Sequence, residues 1–448
     1  MSVKTVKPTT DDRLPILLII LDGLGDRACE ELGGLTPCEA AATPHLDALV
    51  QRGSSGVLVP FGPGRATSSE HAHWSLFGLG EVPFPGRAAI EALGVGQKPP
   101  LGEPMFHLAL RAGTVRDGAL QLGERAQPRE DAACAAELLA ALDGRAIDGV
   151  RFEQLPLRTG EAVLIARGAA SRDVSDSDAL FEHLHAWMRP LPLVDARNPV
   201  AAGKLALALE RWLLESRRIL CTHPLNLARA ASGRLPLDVA VTKWASYLDP
   251  ALQSFAAHTG LRGAAVTDTA LYRGLATILD MSLVDIPYDT LDPTGDMQRR
   301  LVAAAELLET HDFVHLHVKA TDEAAHTKRP AFKRDVIAAT DAGLADLLAL
   351  SNQVVVAVTG DHASPSSGSL LHSGDPTPFV VAAPGLRPDD VVSFGERAAL
   401  RGEQGRLAAA DVLPLLAGFA NRPFFLGHRP GARRSVALPA TPEFMAFD

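Results

Sequence analysis

Short apolar runs alternate along the chain with stretches in which apolar residues recur at helical spacing. The runs Leu14–Leu21, Phe313–Val318 and Val354–Thr359 are largely apolar, which is typical of strands buried on both faces of a parallel sheet. Between the last two, Arg334–Leu350 carries apolar residues three and four positions apart, which predicts a helix. The alternation predicts an α/β fold with a mainly parallel sheet flanked by helices.

The middle of the chain has a different pattern. From about residue 106 to residue 281, polar residues bound several short strands, and the Ala/Leu-rich segments Asp131–Leu142 and Ala201–Ser216 predict helices. This stretch has no dense cluster of side chains that bind metals. We therefore expect residues 1–104 and 282–448 to form a core domain. Residues 105–281 are expected to form an inserted α+β cap domain that binds substrate.

Composition and charge narrow the class of protein. The 448 residues carry a net charge of −10, which argues against a general attraction to nucleic acid or to an anionic membrane. The longest apolar run is too short to cross a bilayer, and the polar first residues do not resemble a signal peptide. The four cysteines lack C-x-x-C spacing, which favours reduced thiols. The sequence thus predicts a cytoplasmic protein.

Two segments near the start of the chain carry candidate chemistry. Asp22 directly follows the first apolar run, at the end of a strand where α/β proteins build their sites; an Asp-Gly pair is equally typical of a turn. Ser69 follows a Gly/Pro-rich loop and is placed to begin a helix, where an anion is stabilised. The alternative for Ser69 is an ordinary helix cap.

Two further segments lie near the other end. Asp322 and His326 are four residues apart, so one helical face can present both to one ion or simply form an exposed pair. Asp361 and His362 follow an apolar run, and His372 comes ten residues after His362. Together with Asp22 and Ser69, this mixture of carboxylates and imidazoles suits Mn²⁺, Zn²⁺ or Co²⁺ better than a thiolate site or a calcium cage.

These segments resemble a known family, the cofactor-independent phosphoglycerate mutases of the archaeal type, members of the alkaline phosphatase superfamily. The strongest match is His317-Val-Lys-Ala-Thr-Asp-Glu-Ala-Ala-His326. The resemblance covers nearly the whole chain and implies an alkaline-phosphatase-like core. The other matching stretches are Leu21–Asp26, Gly33–Pro37, Ala41–His45, Ser69–Gly78, Gly86–Gly96, Val358–His362 and His372–Pro376, with looser matches at Val174–Asp178 and His223–Arg229.

The resemblance implies a two-metal mechanism with Ser69 as the nucleophile that becomes a phosphoserine. The expected ions are Mn²⁺ or Zn²⁺, with Co²⁺ and Mg²⁺ as alternatives. Two such ions would lower the pKa of the serine and neutralise phosphate oxygens. The implied ligands are Asp322, His326 and His372 for one ion and Asp22, Asp361 and His362 for the other, with the Ser69 Oγ atom between them.

Candidates for gripping an anionic substrate follow from the same resemblance. Arg87 and Lys319 lie within matched motifs and are expected to take part in catalysis. The expected substrate is a small phosphorylated or phosphonylated carboxylate. Each cation has a simpler alternative as a surface charge. The residues expected to contact substrate are Arg65, His223, Asn226, Arg229 and Arg273.

The sequence departs from the family pattern in the predicted cap. Ala109 stands where the family pattern has an arginine and Arg111 where it has an asparagine, and Lys243–Ser246 replaces a segment that typically reads Arg-Gly-Ala-Gly. Lysine cannot supply the planar fork with which arginine grips carboxylate or phosphate. These changes predict a phosphomutase with an altered substrate. A metal-dependent phosphomonoesterase is the alternative, and a non-catalytic protein is disfavoured because every expected ligand position is filled.

Overall fold

A computed structural model describes residues 12–179 and 185–424. The chain divides into two compact units, a core unit from Met1–Phe84 with Gln253–Asp448 and an inserted unit from Pro85–Leu252. An insertion into a two-part core was expected, but both divisions fall earlier in the chain than residues 104 and 281.

The core unit is built on a sheet in which eight of the described strands take part. Their order is β11 (Ser282–Asp285), β10 (Gly263–Thr267), β12 (Phe313–Val318), β1 (Ile16–Leu21), β13 (Val355–Thr359), β14 (Thr377–Ala382), β2 (Ser54–Leu58) and β15 (Gly405–Leu407). Strands β1 (Ile16–Leu21), β12 (Phe313–Val318) and β13 (Val355–Thr359) confirm the three apolar runs. Each is completely buried, and β1 lies between the other two in parallel register. The mainly parallel α/β sheet flanked by helices is therefore confirmed.

The pairing of β10 (Gly263–Thr267) explains why the second of the two divisions lies before residue 281. This strand runs parallel to β12, with Gly263 opposite Phe313, so residues before 281 belong to the core sheet and not to the insertion. At the earlier boundary, the backbone N–H of Tyr247 donates to Pro85 O at 2.7 Å. A Cβ on Gly86 would lie 2.5 Å from Ala245 O, so this backbone packs closely on the inserted unit.

The helix predicted over Arg334–Leu350 is wrong in its bounds. It begins earlier, as α12 (Pro330–Ala342), because proline suits the first turn of a helix. It ends before Gly343, which packs where a Cβ would lie 2.6 Å from both Thr294 O and the Met297 side chain. A short helix, Leu347–Leu350, follows after the break.

The inserted unit contains an antiparallel sheet, in which β9 (Val239–Tyr247) pairs with β3 (Pro104–Arg116). The order of its other strands is β5 (Arg145–Ile147), β6 (Val150–Arg158), β7 (Glu161–Arg167), β3, β4 (Ala119–Arg125) and β8 (His185–Ala186). The two predicted helices are present, as α5 (Ala132–Ala140) and the longer α6 (Pro199–Thr222). Strand β9 (Val239–Tyr247) is bulged against β3, and within it Trp244 has a φ of +57°. That conformation is uncommon for a bulky residue.

The remaining bounds complete the description. Among the described residues, no helix combines the length and the apolar character needed to span a membrane. The other strands are β2 Ser54–Leu58, β3 Pro104–Arg116, β4 Ala119–Arg125, β5 Arg145–Ile147, β6 Val150–Arg158, β7 Glu161–Arg167, β8 His185–Ala186, β11 Ser282–Asp285, β14 Thr377–Ala382 and β15 Gly405–Leu407; the other helices are α1 Pro37–Ala40, α2 Pro44–Val50, α3 Ser69–Trp74, α4 Arg87–Gly94, α7 Pro224–Ala231, α8 Phe255–Thr259, α9 Ala270–Ile278, α10 Pro293–Leu307, α11 Ala320–His326, α13 Leu347–Leu350, α14 Glu396–Ala399 and α15 Ala409–Phe419.

Candidate metal and phosphoryl-transfer site

The carboxyl ends of three neighbouring parallel strands meet at one edge of the core sheet. Strand β1 ends directly before Asp22, β12 ends before Lys319, and β13 is followed by Asp361 and His362. The register pairs Ile20 with Thr359, so the side chains that follow these strands are brought together.

Two groups of metal-binding atoms form at this edge. In each group the ligand atoms lie within 4.8 Å of one another. The first consists of Asp22, Asp361 and His362, and the second of Asp322, His362 and His372. His362 therefore belongs to both groups, whereas the sequence assigned it to a single ion.

Ser69 begins helix α3 and lies beside the first group. Its Oγ atom is 2.9 Å from His362 Nε2 and 3.5 Å from Asp22 Oδ1. The residue is only 6% exposed, so its hydroxyl is held among ligand atoms rather than in solvent. A serine needs such neighbours, because it is a weak nucleophile on its own.

Asp22 is held by three donors on one oxygen atom. Its Oδ2 accepts hydrogen bonds from Tyr272 Oη at 2.8 Å, Lys319 Nζ at 2.9 Å and His317 Nε2 at 3.0 Å. Burial opposes ionisation, but the Lys319 charge and the His317 hydrogen bond hold the pKa of Asp22 well below its usual range. Asp22 is thus an oriented carboxylate that leaves Oδ1 facing Ser69 and His362.

Asp361 has a different environment. Its Oδ1 accepts the backbone N–H groups of Gly23 and His362, while its buried Oδ2 has no hydrogen-bond partner. Burial and the nearby charge of Asp22 raise the pKa of Asp361 well above the ordinary value. The nearest imidazole nitrogens, His362 Nε2 at 3.4 Å and His73 Nδ1 at 3.5 Å, make no hydrogen bond to Asp361 Oδ2. A buried carboxylate oxygen without a hydrogen bond is costly unless a cation binds it. The donor set therefore fits a divalent ion at this position.

Asp322 links the second group to Lys319 and His326. Its Oδ2 lies 2.6 Å from Lys319 Nζ and 3.0 Å from His326 Nε2. Burial and Asp22 oppose its ionisation, but the His326 hydrogen bond and the Lys319 charge hold the pKa of Asp322 below the ordinary value. The His372 ring stacks on both His326 and His362. The structure therefore brings all seven of the proposed ligand residues, Ser69 included, into one neighbourhood.

Three residues at the site were missed from the sequence. Tyr272 and His317 position Asp22, and Ser364 Oγ donates to Asp322 Oδ1 at 2.7 Å. His317 left a signal, because His315 and His317 interrupt the apolar strand β12 at alternate positions. Tyr272 and Ser364 left none, since their roles depend on which elements become neighbours.

Two residues of the core unit that were expected to contact an anionic substrate, Arg65 and Arg273, are bonded to neighbouring protein groups. The exposed Arg65 donates to Phe61 O at 2.9 Å, and Arg273 pairs with Asp285 at 2.9 Å. For both residues, substrate binding stays a prediction. Lys319, by contrast, is bonded to Asp22 and Asp322 and lies directly at the site.

In the inserted unit, Arg87 begins α4 and its guanidinium lies 4.2 Å from the Trp244 ring centre. His223 caps helix α7 by accepting the Leu225 N–H. The side-chain amide of Asn226 is bonded to backbone atoms of Leu220 and Leu237, and Arg229 pairs with Asp131. These contacts give His223, Asn226 and Arg229 structural roles, and substrate contacts by all four residues stay predictions.

Residues 14–417 match the Metalloenzyme superfamily, the class of protein that the sheet and its ligand groups define. The chain is 33% identical over 410 residues to the 2,3-bisphosphoglycerate-independent phosphoglycerate mutase of Thermococcus kodakarensis, covering 91% of this chain and 97% of that relative. The second enzyme of that name from Methanocaldococcus jannaschii is 31% identical over 438 residues, covering 95% and 98%.

The chain is also similar to solved structures over almost its whole length. The chain resembles a Pyrococcus horikoshii protein with a TM-score of 0.73 and 28% identity, covering 93% of this chain and 99% of that one. It resembles the cofactor-independent phosphoglycerate mutase of Thermoplasma acidophilum with a TM-score of 0.63 and 29% identity, covering 91% and 100%. The chain therefore belongs to the archaeal-type cofactor-independent phosphoglycerate mutase family within the metalloenzyme superfamily, and it is a metal-dependent enzyme of phosphoryl transfer.

Proposed function

We propose that this enzyme moves a phosphoryl group between two hydroxyls of a small phosphorylated carboxylate, with Ser69 as the intermediate carrier. The observation that carries the proposal is the position of Ser69 Oγ, 2.9 Å from His362 Nε2 and 3.5 Å from Asp22 Oδ1. These are atoms of the first ligand group. The names of the relatives make 2- and 3-phosphoglycerate the first substrates to test.

The proposed ligands are Asp22, Asp361 and His362 for one divalent ion and Asp322, His372 and His326 for the other, with His362 close to both. Bound ions would supply positive charge for the serine alkoxide and the phosphate oxygens. Mn²⁺ and Zn²⁺ best fit this mixture of carboxylate and imidazole. Support comes from the buried Oδ2 of Asp361, which has no hydrogen-bond partner.

The residues of the chain divide the remaining work. Ser69 Oγ loses its proton and attacks phosphorus, and the bond to the substrate oxygen breaks as that oxygen gains a proton. A second hydroxyl of the retained acceptor then loses its proton and attacks phosphorus, the bond between Ser69 Oγ and phosphorus breaks, and Oγ regains a proton, which restores Ser69. Lys319, fixed between Asp22 and Asp322, keeps a positive charge beside both carboxylates and orients them.

A substrate other than phosphoglycerate is favoured by the interior of the inserted unit. Arg111 is buried and both carboxylate oxygens of Asp178 lie 3.1 Å from its Nη1, so this guanidinium already has a partner. Lys243 is 2% exposed, and burial, with Arg125 nearby, lowers the pKa of Lys243 to about 8. Arg111 is thus engaged with Asp178 and does not replace the arginine that the family pattern has at Ala109. Lys243 lacks the planar fork of an arginine and offers less grip for a second anionic group.

The deciding experiment incubates the Mn²⁺-loaded enzyme with a panel of phosphorylated and phosphonylated hydroxyacids and follows phosphorus NMR. We expect an isomeric product without release of inorganic phosphate. Release of one phosphate per substrate would establish a phosphomonoesterase instead. No reaction with any member, in an enzyme that binds metal, would overturn the proposal, and Ser69→Ala is the control for a contaminating activity. A cytoplasmic location stays a prediction.

A further inference from the structure

Lys333 lies on helix α12, in the interior of the core unit, and its side chain is completely buried. Its Nζ atom is surrounded by four oxygen atoms: Gly23 O at 2.9 Å, Gly25 O at 3.1 Å, Asp26 Oδ2 at 2.9 Å and Ser364 O at 2.9 Å. An ammonium group has three N–H donors, so the four acceptors share them. Three backbone carbonyls and a carboxylate around one cation resemble the oxygen shell of a bound ion.

The four acceptors come from the two loops that carry the proposed metal ligands. Gly23 and Gly25 follow Asp22, and Ser364 follows His362 by two residues. The loops also bond to each other, since Ser364 N donates to Gly25 O at 2.9 Å and Ser366 N donates to Asp26. Lys333 is thus a charged cross-link between them.

The cross-link reaches both ligand groups through neighbouring atoms. Gly23, whose carbonyl accepts from Lys333, donates its N–H to Asp361 Oδ1 at 2.9 Å. Ser364, whose carbonyl also accepts from Lys333, donates its hydroxyl to Asp322 Oδ1 at 2.7 Å. A shift of the loop after β1 would therefore move Asp361, a proposed ligand of one ion, and a shift of the loop after β13 would move Asp322, a proposed ligand of the other.

We propose that Lys333 is a positioning residue that acts as a built-in monovalent cation, holding the loops after β1 and β13 at the separation that both metal ions require. The inference rests on the proposed function for its biological meaning, but metal affinity tests it without turnover. Removing the ammonium leaves a buried Asp26 carboxylate and three carbonyl oxygens facing each other, which is strongly unfavourable. Loss of such outer partners commonly weakens metal binding about 10- to 100-fold.

The test compares Lys333→Met, which keeps the length of the side chain, with the matched control Arg334→Met. Arg334 is the next residue of the same helix, and its guanidinium pairs with the adjacent Asp335. Calorimetric titration with Mn²⁺ is expected to show weaker binding of both ions, by about 10- to 100-fold, in Lys333→Met only. Raising Mn²⁺ should restore much of kcat, with little change in KM. Wild-type Mn²⁺ affinity in a folded Lys333→Met protein would overturn the inference.

Chemical rescue separates a cation from a mere filler of space. In Lys333→Ala, propylammonium is expected to restore Mn²⁺ affinity, whereas tetramethylammonium, which has charge but no N–H, is not. Equal effects of the two ions would overturn the role of the hydrogen bonds. If both Lys333 variants fail to fold, Asp26→Asn removes the charged partner instead, and wild-type Mn²⁺ affinity in that variant would also overturn the inference. Weakened Mn²⁺ binding together with an inactive wild type would refute the proposed function alone.

Discussion

The Oγ atom of Ser69 lies 2.9 Å from Nε2 of His362, although the two residues are 293 positions apart in the sequence. The contact exists because the start of helix α3 and the end of strand β13 meet at the same edge of the core sheet. Ser69 would not be reactive by itself, because a serine hydroxyl is a weak nucleophile until a neighbouring base or metal ion activates it. Their proximity to Asp22 and Asp361 is the basis of the chemical role that we propose for the pair.

Ser69→Ala tests the nucleophile. We expect turnover to fall by a factor on the order of 10³ or more, because the proposed mechanism assigns the covalent intermediate to Ser69. Mn²⁺ stoichiometry should stay unchanged, since the carboxylates and imidazoles remain. Ser68→Ala is the matched control, because Ser68 precedes the helix and its side chain makes no capping hydrogen bond. Substantial turnover in Ser69→Ala, measured by phosphorus NMR, would refute the assignment.

A pair of histidine variants tests the division of ligands between the two ions. His326 Nε2 lies 3.0 Å from Asp322 Oδ2, and its side chain is 34% exposed. His326 also stacks on His372, a residue of the same proposed ion, so His326→Ala should weaken one ion and move the stoichiometry toward one. His362 belongs to both groups, so His362→Ala should weaken both. Elemental analysis after dialysis against limiting Mn²⁺ measures the difference. Two tightly held ions in His362→Ala would contradict its shared position.

The sequence could predict the parts of this site that each strand presents at its own end. Asp22 and Asp361 follow apolar runs, so their location at the edge of a parallel sheet required only the α/β rule. The contact of Tyr272 with Asp22 could not be predicted, because Tyr272 lies on α9, whose place follows from the pairing of β10 with β12. The contact of His317 with Asp22 depends on the direct pairing of β12 with β1, in which Ile20 lies opposite His317. The pairing of Gly263–Thr267 with β12 also explains why the inserted unit ends earlier in the chain than the sequence predicts. Without knowledge of its partner strand, this segment looks like any short apolar strand.

Helix α12 shows a second limit of the sequence. Its apolar spacing was recognised, but Lys333 would be assigned to an exposed face, where most lysines lie. Its burial follows from the carbonyl oxygens of two distant loops, Gly23 and Ser364 among them. A pattern of apolar and polar residues cannot show that the interior contains hydrogen-bond acceptors for a charged side chain.

The pH dependence of stability should contain a contribution from Glu396. This carboxyl accepts hydrogen bonds from Thr36 Oγ1 and the Asp26 N–H, but burial raises the pKa of Glu396 from 4.5 to about 7. The folded state therefore binds a proton that the unfolded state releases above pH 4.5. Its contribution is complete below pH 4.5 and is lost as the pH rises toward 7.

The measurement compares urea unfolding of the wild type with that of Glu396→Gln at pH 5 and pH 8. From the raised pKa, the wild type should lose on the order of 2 kcal/mol of unfolding free energy relative to the variant across this range. Glu39→Gln is the comparison for a more exposed acid on a neighbouring helix. Parallel pH profiles for the wild type and Glu396→Gln would show that Glu396 titrates normally.

Metal removal should destabilise the core unit, because three of its carboxylates lie close together and repel one another when no divalent cation is bound. Asp22, Asp322 and Asp361 lie close together in the interior, and without divalent ions Lys319 is the cation bonded to the first two. An ion that binds only the folded state stabilises it by RT ln(1 + [M]/Kd), about 2.7 kcal/mol at 100 times the Kd. Chelation should therefore lower Tm by several degrees, and added Mn²⁺ should raise it in proportion to log concentration.

The Asp361→Asn variant gives this prediction its sharpest form. The buried Oδ2 atom of Asp361, which lacks a hydrogen-bond partner, is the part of the site most dependent on a cation, so replacing the carboxylate relieves its repulsion with Asp22. Without metal, Asp361→Asn should be more stable than the wild type, and in saturating Mn²⁺ it should be less stable. A calorimetric scan of both proteins with and without Mn²⁺ tests this reversal. A variant that is less stable under both conditions would mean that Asp361 serves the fold rather than the ion.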